Sequence, residues 1–302
     1  MKRYIVLMAL LAVVMSCNTK IDPDTVGTIV VTASVNGQTK AGYDNANLPA
    51  NFVIDINQGG ASRFDYSWIK MTRDGSGDKY SAAQSLLWAS DDRTGVTVKA
   101  MTLPFRMTAI DASYPMTVSV SEDQSVVGNL VASDLMGAST GNGVTIDGDN
   151  VKVAFNHLMS KLQVSYEFDS EFSDRQIIVK SITLNDICTS GGYDYSDMVY
   201  DSSIDPVLGN VSMYHNSEAK TAEAVFYPYV PSVNPTFVMN VIIDGAEYQF
   251  SCPIVPKTSD GFVGGKRYKL NVAIVGSSVN GTSFSISSGW DTISYEWDFI
   301  TE

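Results

Sequence analysis

Short segments in which apolar and polar residues alternate recur along the chain, and this pattern limits the fold more than any other feature. In the clearest of them, Leu162, Val164 and Tyr166 alternate with polar side chains. Residues two apart lie on the same face of a β-strand, so alternation predicts strands with one buried face. Clusters of Gly, Asn, Asp and Ser separate the segments at regular spacing, and the sequence shows neither a βαβ alternation nor a long helical period. The chain is therefore predicted to be all-β and built of β-sandwiches.

Strand-like segments occur in both halves of the chain. They cover residues 28–35, 52–56, 65–71, 95–100, 116–120, 144–155, 162–168, 177–184, 222–230, 236–243, 247–254 and 268–275. Asn36-Gly37 is a hairpin signal directly after the first of them. The turn Asp147-Gly148-Asp149-Asn150 predicts a second hairpin, and residues 124–136 are predicted to contain a short helical turn.

The length and charge of the chain exclude several functional classes. Its 302 residues are enough for two domains of ordinary size. The formal net charge is −13, and it becomes −15 (18 basic against 33 acidic residues) if Lys2 and Arg3 are removed. Nucleic-acid binding needs a basic surface, and no basic stripe is found, so we expect no nucleic-acid partner.

The N-terminus has the pattern of an export signal. Lys2 and Arg3 precede an apolar run from Tyr4 to Met15, which is too short for the roughly 20 residues of a membrane-spanning helix. Ser16 and then Cys17 follow, as in the lipobox of a bacterial lipoprotein. Residues 1–17 are therefore predicted to be a lipoprotein signal with a lipid-modified Cys17. Ordinary secretion with cleavage nearby, or a buried helix, are the alternatives.

Residues 18–40 are predicted to be a polar tether followed by a detachable strand. Alternation places Ile29, Val31, Ala33 and Val35 on one face of that strand. Lys40 follows just beyond the Asn36-Gly37 turn, where an extracellular protease could reach it.

The residues that could carry chemistry do not form a recognisable catalytic or metal-binding pattern. His157 is expected to have a packing or hydrogen-bonding role, and His215 is expected in a turn. Turn chemistry explains Asp91-Asp92 and residues 147–150 better than calcium binding does. Cys188 and Cys252 are either a disulfide or two buried thiols. We therefore predict no enzymatic activity, no metal and no cofactor.

Several motifs, taken in order, resemble the fimbrillin-like family of Bacteroidetes, the subunits of type V pili. They are Asp134-Leu135-Met136-Gly137-Ala138, the segment from Val151 to Leu162, the segment from Phe262 to Leu270, Ile286-Ser287-Ser288-Gly289-Trp290, and Thr39-Lys40-Ala41. The resemblance spans nearly the whole chain. Lys40 stands where the family commonly has Arg, which is a departure at the cleavage position.

The resemblance implies two β-sandwich domains of transthyretin-like Greek-key topology. They would cover residues 41–157, with strand 28–35 added in the precursor, and residues 158–302. It also implies assembly by proteolytic strand removal and donor-strand exchange, with Lys40 as the cutting site and Ile29, Val31, Ala33 and Val35 as the exchanged face. The tail is a candidate donor strand through Ile293, Tyr295, Trp297 and Phe299, although its aromatic side chains fit poorly in a space shaped by smaller aliphatic ones.

The predicted function is that of a fimbrial subunit or a tip or accessory adhesin at the outer membrane and cell surface. The expected partners are other fimbrial subunits, membrane lipid through Cys17, and a host or microbial surface ligand. The alternative is a surface lipoprotein that binds glycans without polymerising, with Trp68, Trp88 and some of the 15 tyrosines as the sugar platform.

Overall fold

The computed structural model describes residues 27–36, 43, 47–59, 64–107, 115–255, 260–275 and 278–288, with backbone only at 275 and 278–288. The prediction of an all-β chain is confirmed. The strands are β1 Val30–Val35, β2 Asn51–Asn57, β3 Tyr66–Arg73, β4 Lys79–Ser81, β5 Thr97–Thr102, β6 Met116–Ser119, β7 Met136–Thr140, β8 Gly143–Asp147, β9 Asn150–His157, β10 Ser160–Phe168, β11 Ile177–Asp194, β12 Val199–Asp201, β13 Val207–Ser212, β14 Tyr214–Asn216, β15 Thr221–Phe226, β16 Thr236–Ile243, β17 Ala246–Pro253, β18 Lys266–Val275 and β19 Ser278–Ser288.

Helix is nearly absent from the described residues. The helical turn predicted within residues 124–136 is confirmed as α1, Val127–Ala132. Over the residues that the structure describes, no helix has the length and apolar character needed to cross a bilayer.

In the first half of the chain, every described strand except β6 belongs to one closed sheet with the order β1-β4-β3-β2-β5-β7-β8-β9, in which β9 returns to β1. Strand β1 pairs antiparallel with β4 and parallel with β9. The inward side chains of all these strands contribute to one apolar core. Strand β1, the first described strand, therefore completes this sheet between β4 and β9.

One of the two predicted hairpins forms and the other does not. Strands β8 and β9 pair across the turn predicted at residues 147–150, where Gly148 has a φ of 59°. The hairpin predicted at Asn36-Gly37 is wrong for the described strands, because both edges of β1 are occupied by β4 and β9 and not by β2. Pairing of β1 with β4 and β9 is more stable because it places the apolar face of β1 inside a core. An isolated hairpin, in contrast, is only marginally stable in water.

The second half contains two further sheets. One has the order β14-β15-β10-β18-β19. The other has the order β12-β11-β16-β17, with β6 and β13 also paired to β11. Side chains from both sheets share a second core. Two sandwiches of transthyretin-like topology are not confirmed, since the first half is a single closed sheet.

The segment containing β6 and α1 precedes residue 157 but packs with the second half. Val118 and Leu130 belong to the second core, and the Gln124 side chain is hydrogen-bonded to the backbone of Val225 at 2.7 and 2.8 Å. The domain limits at residues 157 and 158 remain a prediction. This segment lies before residue 157 in the sequence, yet its buried side chains belong to the core of the second half.

Candidate functional site

Strand β1 has one apolar face and one polar face, as its alternation predicted. Ile29, Val31, Ala33 and Val35 are all buried, with exposed fractions of 6%, 1%, 4% and 2%. Val30 lies on the opposite face and is 37% exposed. The prediction that these four side chains are buried together is therefore confirmed, while their exchange with another strand is a separate question.

The backbone of β1 is hydrogen-bonded along both edges. Six consecutive residues, Val30 to Val35, are in parallel register with Asn150 to Phe155. On the other edge, the Ile29 amide donates to the Leu86 carbonyl and the Ala33 amide to the Asp78 carbonyl, both at 2.9 Å. Loss of β1 would therefore leave unpaired backbone groups on two facing strand edges, which is an unfavourable state for buried amides and carbonyls.

Three aromatic rings cluster in the core that the inward face of β1 shares. Phe52 extends from β2, and its ring centroid lies 4.7 Å from Tyr80 of β4 and 5.1 Å from Phe155 of β9. The Tyr80 hydroxyl donates to the Pro49 carbonyl at 2.6 Å, which fixes the ring. Burial is the main cause that raises the pKa of Tyr80 to about 12.

A buried pair of hydrogen-bonded side chains, His157 and Asp134, lies at the far end of β9. His157, the last residue of β9, places Nδ1 3.0 and 2.9 Å from the two carboxylate oxygens of Asp134. Both side chains are closed to solvent, so His157 is not available to act on a substrate in solution. The expected hydrogen-bonding role of His157 is confirmed, and the partner explains why Asp134 begins one of the sequence motifs.

The motif that includes Gly264 and Gly265 joins the two halves of the chain at the same place. Gly265 has a φ of 71°, its amide donates to the Met159 carbonyl at 2.9 Å, and a Cβ there would lie 2.8 Å from the His157 carbonyl oxygen. The Tyr268 hydroxyl accepts a hydrogen bond from the Val263 amide at 2.6 Å. Position 265 therefore favours glycine because a second backbone approaches it closely and its φ is positive. Position 268 suits tyrosine because its buried hydroxyl group has a hydrogen-bond partner.

A buried charged pair, not anticipated from the sequence, lies just beyond this junction. Lys161 Nζ is 2.7 Å from Glu223 Oε2, and neither side chain is appreciably exposed. Burial lowers the pKa of Lys161, while Glu223 acts in the opposite direction. In sequence, Lys161 looks like an ordinary outward residue of an alternating strand, so only the pairing of β10 with β15 shows its partner.

The two tryptophans proposed as a sugar platform differ from that expectation. Trp88 is fully buried, and the guanidinium carbon of Arg93 lies 4.2 Å from its ring centroid. Trp68 is partly buried and packs edge-on against Tyr195, with the ring centroids 6.4 Å apart. Trp88 therefore exposes no ring face to a ligand and cannot be part of a glycan-binding platform.

The remaining polar candidates have structural explanations. His215 lies in strand β14 and not in a turn, and its Nε2 is 2.7 Å from the Tyr166 hydroxyl. Burial lowers the pKa of His215. Cys188 and Cys252 are buried thiols, not a disulfide. Within the described ranges, no group of three His, Cys, Asp or Glu side chains is placed to hold a metal ion.

Several predicted site residues lie outside the described residues. They are Cys17, Lys40, Ile293, Tyr295, Trp297 and Phe299. Lipid attachment, cleavage and strand donation at these positions therefore stay predictions.

Comparison with known proteins places this geometry in context. A fimbrillin-like family profile matches residues 29–288, a range that begins within the buried face of β1. No curated protein matches the sequence.

Two solved structures resemble the whole fold. One, from Bacteroides uniformis, is 17% identical with a TM-score of 0.59 and covers 88% of this chain and 98% of its own. The other, from Bacteroides ovatus, is 13% identical with a TM-score of 0.59 and covers 89% of this chain and 100% of its own. Both carry names that refer to cell adhesion, and at these identities the likeness concerns the fold alone. The family match covers most of the sequence, and the chain therefore belongs to the fimbrillin-like family.

Proposed function

We propose that this protein is a fimbrial subunit, of the shaft or of the tip, that joins its neighbour by exchange of strand β1. The observation that carries the proposal is the position of β1. It is the first described strand, and it closes the first-half sheet between β4 and β9 with four side chains in the core. A terminal strand can be cut away and replaced without rethreading any other part of the chain.

The energetic consequence of losing β1 is large. Burying a Val or Ile side chain contributes roughly 1.5–3 kcal/mol, and three such residues lie on this face. Whole domains have a free energy of unfolding of only roughly 5–15 kcal/mol. A first half that lacks β1 would therefore gain strongly from another strand that restores the hydrogen bonds and fills the core, as in recognition by strand addition.

Export and processing complete the proposal. Cys17 would carry the lipid that holds the precursor at the outer membrane, and cleavage after Lys40 would free residues 18–40, which include the whole of β1. A surface ligand, for a subunit at the tip, would be a further partner. Lys40 follows the last residue of β1 by five positions in the sequence, so a cut there would leave the whole strand on the released fragment.

The proposal is tested by limited trypsin treatment of the purified full chain. We expect cleavage after Lys40, release of the fragment that contains β1, and, once a partner subunit that supplies a strand is added, oligomers that resist denaturing electrophoresis. The matched control is Lys40→Gln, which should not be cut at position 40, should keep β1 and should stay monomeric under the same conditions. If the wild-type chain is cut and loses β1 but never forms oligomers, with or without added subunits, strand exchange is contradicted.

A further inference from the structure

Ala33 is the smallest of the four side chains that β1 places in the core, and its surroundings indicate why. Its neighbours on the same face are Val31 and Val35. Val31 is in register with Tyr80 on β4, and Val35 is in register with Phe155 on β9. Ala33 therefore lies at the level between these two aromatic residues.

The ring of Phe52 belongs to the same core as Ala33 and lies against both of these aromatic residues. It reaches across from the opposite wall of the closed sheet and touches both Tyr80 and Phe155, with centroid distances of 4.7 and 5.1 Å. All three rings are buried, and Tyr80 is held by its hydrogen bond to Pro49. Close-packed interiors have few voids, so a side chain larger than alanine at position 33 would have to displace an aromatic ring.

We propose that the Phe52, Tyr80 and Phe155 rings select the strand that replaces β1. An incoming strand must run parallel to β9, carry aliphatic residues at the first, second and fourth inward positions, and carry Gly, Ala or Ser at the third. The small residue also fixes the register, because a shift by two residues would bring a larger side chain onto the rings. This inference rests on the proposed strand exchange and adds the chemistry of the partner strand.

The requirement excludes the protein's own tail as the usual occupant. If Ile293 takes the place of Ile29, Trp297 falls at the position of Ala33. Shifting the tail by two residues in either direction places Tyr295 or Phe299 there instead. Each is far larger than alanine, so these three registers of the tail are disfavoured, and we expect the partner strand to come from a different protein.

The packing that underlies this selection can be tested in the full chain by a double-mutant cycle. Ala33→Leu should lower Tm by roughly 2–12 °C through overpacking, and the outward control Val30→Leu should leave Tm nearly unchanged. In a Phe52→Val background, which opens space under position 33, Ala33→Leu should cost much less or raise Tm. An equal loss of Tm in both backgrounds would overturn the inference, because the two sites would then be independent.

Selection itself is tested by strand replacement in chain that has been cleaved after Lys40. The probes are a synthetic peptide with the sequence of residues 27–36 and its A33L and V30L variants. Release of the native fragment is followed by mass spectrometry. We expect the A33L peptide to be at least about tenfold weaker than the other two, and equal displacement by all three would overturn the selectivity. Failure of every peptide to displace the fragment would count against strand exchange, while the double-mutant cycle would still decide the packing claim.

Discussion

The contribution of β1 to stability can be measured with two substitutions at neighbouring positions. Val31 and Val30 are the same residue type in the same strand, but Val31 is 1% exposed and Val30 is 37% exposed. Changing each to Ala alters the strand propensity in a similar way. The difference between Val31→Ala and Val30→Ala therefore isolates the burial of the β1 face in the first-half core.

The expected size of that difference follows from the atoms removed. Val31→Ala deletes two buried methyl groups, which is about 1.6 kcal/mol of transfer free energy at about 0.8 kcal/mol per group. The cavity left between β4 and β9 adds to this loss, because a closely packed core relaxes only partly into such a space. We expect a total of about 2–3 kcal/mol for Val31→Ala and less than about 0.5 kcal/mol for Val30→Ala.

The assay is urea unfolding of the full chain followed by tryptophan fluorescence. Trp88 is fully buried in the same core as Val31 and reports on it. With a urea slope of roughly 1–3 kcal/mol per molar, Val31→Ala should lower the midpoint of the first-half transition by about 1 M. Equal midpoints for the two variants would refute the claim that the buried face of β1 holds this half together.

Three further predictions concern the rest of the chain. Gly264→Ala should strongly destabilise the protein in thermal unfolding, since a Cβ there would overlap the Tyr200 hydroxyl and the Leu158 carbonyl oxygen. The control Gly128→Ala, in helix α1, has open space around the new Cβ and should be neutral or stabilising by up to about 1 kcal/mol. Similar effects of the two substitutions would contradict the close approach at Gly264. Glu223→Gln should lower the free energy of unfolding in urea by about 3–5 kcal/mol, because it leaves Lys161 buried without its counter-charge. The control Glu247→Gln breaks an exposed pair with Lys180 and should lower it by less than about 1 kcal/mol. Equal losses would refute this explanation. Burial raises the pKa of Tyr80 and of Tyr227 to about 12, so on raising the pH these phenols ionise first in the unfolded chain. The free energy of unfolding should therefore be unaffected by these groups below about pH 10 and should fall as the pH rises from about 10 to about 12. Tyr80→Phe should reduce the slope of that fall, and an unchanged slope would contradict the assignment.

The sequence alone was sufficient for the local features. Alternation correctly marked Ile29, Val31, Ala33 and Val35 as one buried face, because burial on one side of a strand is a property of the strand itself. The turn at residues 147–150 was equally predictable, since Asp and Gly favour the conformation that a tight hairpin needs.

Features that depend on distant pairing could not be obtained in the same way. Asn36-Gly37 carries a strong hairpin signal, yet β1 pairs with strands that begin 49 and 120 residues after its own start. Nothing local specifies that the ring of Phe52 contacts both Tyr80 and Phe155, or that Lys161 pairs with Glu223. In each case the deciding contact joins residues far apart in sequence, and its free energy depends on the whole closed sheet and its core.

The central claim, that β1 is removed and replaced during assembly, is tested most directly by the N-terminus of the subunit in surface fibres. Purified fibres can be dissociated and the subunit identified by its intact mass and N-terminal sequence. The account predicts a chain that starts at Ala41, with residues 29–35 absent from the fibre. A fibre whose subunits start at Cys17 and keep β1 in place would contradict it.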